Sequence, residues 1–227
     1  MSSSLSWLAL EVKDREAVTA FYRDHLDLPV SHETTTETVL HAGTTDLVLR
    51  RPSGLPRGGL HTHYAFSIPV GEYDDWVARL DPQFNLTEFD FGSYRSLYLD
   101  DPAGNCVELG QRDVEGPGIT DIFEVVLEVA SVGRAVDFYT SLGFEVVDDG
   151  GDRPRTRLST GALDLELWEP QLGLADGRGG VHVDWGLHVE DPATVAARVE
   201  SEARRIESVE NGIRVWDRDG HALTLVG

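Results

Sequence analysis

The chain has 227 residues, room for one large domain or two of about 110 residues each. Forty acidic residues face nineteen basic ones, a formal net charge of −21, and Lys13 is the only lysine. That field has the wrong sign for duplex DNA or an anionic membrane, and a single cysteine, Cys106, excludes an intramolecular disulfide.

The acids are spread along the chain rather than gathered in a tail. The charge therefore reads as an adaptation to molar salt, where screening acts over about 3 Å and self-repulsion is tolerable. A halophilic archaeal protein is the expectation. No apolar run is long enough to span a membrane. The opening Met1-Ser2-Ser3-Ser4 lacks the basic and apolar regions of a secretory signal. With the lone cysteine, this predicts a cytoplasmic location.

Leu5 to Val12 alternates and predicts a strand. Asp14 can cap a helix over Arg15 to His25, whose Val18, Phe21 and Tyr22 recur at helical spacing. Glu37–Ala42 and Asp46–Arg50 form a hairpin about Gly43, with room for a short strand near Val30–Glu33. Arg51 to Leu60, rich in Gly and Pro, is a linker. In His61-Thr62-His63-Tyr64-Ala65-Phe66-Ser67-Ile68 a period of two puts both histidines on one face and Tyr64, Phe66 and Ile68 on the other. A helix over residues 72–80, a strand region at Phe84–Phe91 and a hairpin over Tyr94–Leu109 follow. If the hairpin's second strand lies beside the His63 strand, His63 and Glu108 meet, and an imidazole with a carboxylate is half of a metal site.

The pattern then returns. Glu11-Val12 with Ala20-Phe21-Tyr22 recurs as Glu128-Val129 with Asp137-Phe138-Tyr139, and Gly43–Pro52 recurs as Gly161–Pro170. Asp191-Pro192 opens a fourth helix, to about Ser201. The reading is an α+β fold of four β-α-β-β-β modules in two pairs. The expected domains are residues 1–113 and 119–227, divided at the Gly-Pro-Gly stretch between them.

The segments Leu10-Glu11-Val12-Lys13-Asp14, Ala20-Phe21-Tyr22, His63-Tyr64-Ala65-Phe66, Asp101-Pro102-Ala103-Gly104-Asn105-Cys106-Val107-Glu108-Leu109 and 127–144 resemble the vicinal oxygen chelate superfamily. That group includes glyoxalase I, bleomycin- and fosfomycin-resistance proteins and extradiol dioxygenases. The resemblance implies two tandem domains, in each of which paired modules form a U-shaped sheet with a divalent metal in its hollow. Ligands come from the first and last strands of each module. With modules paired within each half, the N-terminal positions are Trp7, Val48, His63 and Glu108; the C-terminal ones are Glu124, Glu166, Asp184 and Thr224.

His63 and Glu108 are thus the candidate ligands, and Fe(II) or Mn(II) the candidate metal. Trp7, Glu11 and His61 are candidates to wall the pocket or supply a third ligand. Tyr98, ten residues before Glu108, is the candidate proton donor, and Glu124, Glu166 and Asp184 form a possible second acidic site or share in the general excess of acid. Cys106 is expected to be buried and inert, facing away from Glu108. The implied function is a metal-dependent enzyme nearest an extradiol dioxygenase or glyoxalase, acting on a small molecule. The alternative is a metal-free sequestering protein of the bleomycin-resistance type. A homodimer is possible in either case.

Overall fold

A computed structural model describes residues 3–52, 62–169 and 184–227. His61 and most of the predicted linker Arg51–Leu60 lie outside the described residues. The first module comprises β1 (Ser4–Glu11), α1 (Arg15–His25), β2 (Val30–Glu33), β3 (Glu37–Ala42) and β4 (Thr45–Arg50). The second comprises β5 (Thr62–Pro69), α2 (Tyr73–Leu80), β6 (Thr87–Asp90), β7 (Arg95–Asp100) and β8 (Cys106–Arg112). The third comprises β9 (Asp121–Glu128), α3 (Val132–Ser141), β10 (Glu145–Asp148), β11 (Arg155–Ser159) and β12 (Asp164–Trp168). The fourth comprises β13 (Asp184–His188), α4 (Pro192–Ala197), β14 (Arg205–Val209), β15 (Gly212–Trp216) and β16 (Ala222–Val226).

Local chemistry accounts for the helices. The Asp14 carboxylate accepts from the Ala17 amide at 3.1 Å and starts α1, which buries Val18, Phe21 and Tyr22. Asp191 accepts from the Ala193 and Thr194 amides ahead of Pro192. The fourth helix stops at Ala197, shorter than the sequence predicts, and turns follow. Among the described residues, no helix is long and apolar enough to cross a membrane.

Two eight-stranded sheets result. One runs β14-β15-β16-β13-β1-β4-β3-β2, the other β10-β11-β12-β9-β5-β8-β7-β6. The expectation that each half pairs its own modules is corrected here: the first sheet joins modules one and four, the second joins two and three. The joints are antiparallel ladders, β1 on β13 and β5 on β9. The reason is the short crossing after β8. In only eight residues, 113–120, the chain passes β5 and returns beside it as β9. The Thr120 amide is tied to Ser67 O at 3.0 Å, and its carbonyl accepts from the Thr44 amide at 2.9 Å.

The helical layer still follows the halves. Tyr22 of α1 donates to Asp101 at 2.8 Å and hydrogen-bonds Tyr64 of the second module. Tyr139 of α3 donates to Asp217 of the fourth module at 2.9 Å. Asp101 also accepts from the Ala103 and Asn105 amides, and Asp217 from those of Gly220 and His221. The repeated Asp-turn therefore locks each helix onto the next module's last hairpin.

Two tests follow from this architecture. Expressed alone, residues 1–113 leave β1 and β5 as open edges, so light scattering should find the fragment associated or aggregated; a stable monomer would contradict the exchanged pairing. The second concerns Asp101, whose carboxyl is pushed above the usual range by burial, against the opposing hydrogen bonds of Asn105, Tyr22 and Ala103. A raised folded value gives stability that is full below the unfolded value of about 4 and lost as pH rises through the folded one. Asp101→Asn has no such titration and loses one acceptor, about 1 kcal/mol. In denaturant unfolding its deficit against the unsubstituted protein should be largest at low pH and shrink as pH rises.

Candidate metal centre

Strand register decides which side chains share a hollow. The first and last strands of each module pair in parallel, matching Ala9 with Val48, Ala65 with Glu108, Val126 with Glu166 and Gly186 with Thr224. Two residues before each first-strand partner stand Trp7, His63, Glu124 and Asp184. The eight residues occupy equivalent register positions in their modules, but the exchanged pairing redistributes them. The sheet of modules two and three gathers His63, Glu108, Glu124 and Glu166. The other gathers Trp7, Val48, Asp184 and Thr224.

In the first of these hollows the groups converge. One donor atom each from His63, Glu108 and Glu124 lie within 4.8 Å of one another. Donors about 2.1 Å from one divalent ion stand about 3 to 4.2 Å apart, so small side-chain rotations would close the set on an ion. His63 Nε2 is 3.1 Å from Glu108 Oε2. Burial pushes Glu108 up, but the His63 hydrogen bond and charge, with donors from Ser96 and Tyr98, bring it below the ordinary carboxylate value. Glu124 goes the other way. Burial, then the Glu108, Glu166 and Asp164 charges, push it well up against the pull of Arg157.

Arginines complete the electrostatics. Arg157 lies 2.6 Å from Glu124 and 3.2 Å from Glu166. The contact is misaligned for hydrogen bonding, and Glu124 Oε2 and Arg157 Nε, both buried, have no aligned partner. Glu166 is held by Arg155 at 2.9 Å and the Trp168 indole at 2.7 Å, outside the three-donor group. Tyr98 faces Glu108 across the β7–β8 ladder. Burial, then the charge and hydrogen bond of Glu108, push its hydroxyl far up, so it stays protonated.

Other expectations change. Trp7 and Glu11 belong to the opposite sheet and neither wall this hollow nor reach His63; the Trp7 ring packs over Gly186, where a Cβ would come within 2.3 Å of it. Asp184 lies there too, 2.5 Å from Arg50 and 3.3 Å from Arg214, apart from Glu124 and Glu166. The predicted second acidic site is thus divided. Cys106 shares the face of Glu108, as residues two apart on a strand must, and lines the hollow. Burial, then Asp100, Glu108 and Asp101, push its thiol up to about 12, so it stays a thiol.

The hollow is an open cavity of about 770 Å³. Its floor is the His63–Glu108–Glu124 group, and its rim carries Phe89, Phe91 and Tyr94 on one side and Arg153 and Trp168 on another. The residues missed in sequence as partners of His63 are Glu124, Glu166 and Arg157. The family resemblance assigns the first two to ligand positions, and only the pairing of β5 with β9 brings them to His63.

Two sheets of paired β-α-β-β-β modules, with donors on their first and last strands, define the vicinal oxygen chelate fold. Glyoxalase I from Zea mays has this fold, with a TM-score of 0.72 at 17% identity over 99% of this chain and 92% of that one. A provisionally assigned dioxygenase from Bacillus subtilis gives 0.77 at 16% identity over 98% and 84%. Residues 4–109, a little under half of the chain, match the model of the Glyoxalase/Bleomycin resistance protein/Dioxygenase superfamily. The metallothiol transferase FosB of Staphylococcus haemolyticus is 29% identical over 102 residues, 42% of this chain and 73% of that protein.

Gly110 lies beneath the Phe123 ring. A Cβ there would stand 2.9 Å from the ring's tip and 3.4 Å from Glu108 Oε1, whereas one on Gly71 would meet nothing within 4 Å. Gly110→Ala should therefore cost about 1 to 2 kcal/mol in denaturant unfolding, with Gly71→Ala near neutral.

Proposed function

We propose that the hollow of modules two and three is the active site of a divalent-metal-dependent enzyme, of the extradiol-dioxygenase kind, acting on a small molecule with two adjacent oxygens. The convergence of His63, Glu108 and Glu124 carries this reading. The donor set fits an ion: one imidazole and two carboxylates, one of them raised by burial and then by its neighbours' charge and ending in an oxygen without an aligned partner. Fe(II) or Mn(II) suits such donors. When bound, the ion would supply Lewis acidity to a chelated oxygen. Three protein donors leave room for a bidentate substrate, as oxygenase triads do.

The chain's own groups then divide the work. Tyr98, protonated beside Glu108, holds a proton at its hydroxyl for a substrate oxygen. Arg157 offsets the charge of Glu124 and Glu166, so the floor does not repel an anionic ligand outright. Val126 and Phe123 line the hollow and keep part of it dry. Each hollow is completed within one chain, so the proposed ligand set does not need a second copy.

One observation favours a second reading, a metal-free sequestering protein. Arg157 already sits where a cation would neutralise the two glutamates. Metal content separates the two. Purified in high salt, the protein should hold close to one equivalent of iron or manganese by elemental analysis. His63→Ala and Glu124→Ala should each weaken retention at least about tenfold, while Trp7→Ala leaves it unchanged. A metal-free protein that takes up neither ion on dialysis would leave only the second reading.

A further inference from the structure

We propose that the ligand of this hollow is an aromatic anion, its flat body on the Phe89–Phe91–Tyr94 rim and its anionic group held by Arg112 and Arg153. The proposal rests on the preceding one only for the end of the ligand that meets His63.

The first observation is the rim. Phe89, Phe91 and Tyr94 are 51%, 64% and 39% exposed, unusual values for large apolar side chains. They stand together at the β6–β7 turn and line the same cavity as His63. Phe89 and Phe91 lie nearly parallel, centroids 6.2 Å apart, and Phe89 meets Tyr98 edge-on at 5.4 Å. Water is a poor solvent for three adjoining rings, and a clustered exposed patch at a cavity mouth is a common mark of a ligand surface. A flat apolar body is the shape that covers them.

The second observation is independent and concerns charge. In so acidic a chain most arginines of the described residues are neutralised: Arg15, Arg50, Arg79, Arg95, Arg214 and Arg218 each face a carboxylate. Four arginines line this hollow, and Arg155 and Arg157 are committed to Asp148, Glu124 and Glu166. Arg112 and Arg153 have no carboxylate partner among the described residues. Arg112 lies over the Phe123 ring at 4.5 Å, which orients its guanidinium while leaving its donors free of acid. Six of the sixteen described arginines lack a carboxylate partner among the described residues, and Arg112 and Arg153 are the two of them that line this cavity, so in a protein of net charge −21 it offers an anion two uncommitted guanidinia beside an aromatic rim. Carboxylates and phosphates both satisfy that fork of donors.

Metal-stripped full-length protein tests this without depending on the metal. Trp168 lines the cavity, so its fluorescence reports occupancy by 2-naphthoate, 2-naphthyl phosphate and the neutral 2-naphthamide. At least one anion should bind about tenfold more tightly than the amide, and the tighter one identifies the anionic group. Arg112→Gln with Arg153→Gln should erase that preference while the amide still binds. Phe89→Ala with Phe91→Ala should weaken all three probes, with unfolding curves confirming that each variant is folded. Equal binding of amide and anions, or a preference that survives loss of both arginines, overturns the proposal. Probe binding is read on metal-stripped protein and metal retention without probe, so a failed metal assay and a failed anion assay remain separate results.

Discussion

The antiparallel ladder between β5 and β9 is the constraint on which the rest depends. Tyr64 faces Val125 and Ala65 faces Glu124 along it. Every hydrogen bond of that ladder joins the N-terminal half to the C-terminal half. It also turns the donor faces of two modules into one concave surface. Without it, His63 and Glu108 would be a hydrogen-bonded couple on one half-sheet, and Glu124 and Glu166 two acids on another. With it, three carboxylates and an imidazole meet in one buried place, and their mutual repulsion becomes a property of the site.

The second sheet shows what the same geometry does with other residues. It has the same joint, β1 on β13, and the same four strand positions facing its hollow. Trp7 and Val48 occupy two of them with apolar bulk, and Thr224 a third with a hydroxyl. Asp184 alone keeps a carboxylate, clasped between Arg50 and Arg214. Shape is therefore duplicated and chemistry is not. The positions where strands present side chains are set by backbone pairing, while the ability to hold a cation depends on which residues fill them.

Much of the fold was legible along the chain because it is local. Helix α1 could be bounded at Arg15 and His25 from one cap and one apolar stripe, and β2 and β3 from short alternating runs between turn residues. The repeat placed eight side chains at equivalent positions before any contact was known. His63 and Glu108 did come together, since they sit on neighbouring strands of one module, and Tyr98 faces Glu108 across a hairpin. Trp7 and Glu11 lie in the other sheet for one reason: modules adjacent in sequence are not the modules adjacent in the sheet.

Sequence by itself determined the module, its repeat, the residues at each equivalent strand position and the surplus of acid. Side-chain period, capping and turn chemistry act over a few residues, and they leave their record in order along the chain. Only tertiary structure decided which modules close on one another. Each module's first strand offers an edge that any of the other three could accept, and the period-two pattern is the same whichever neighbour is chosen. The choice turned on eight residues, 113–120, that lay β9 against β5. That single adjacency separated Glu124 and Glu166 from the general excess of acid and set them opposite His63.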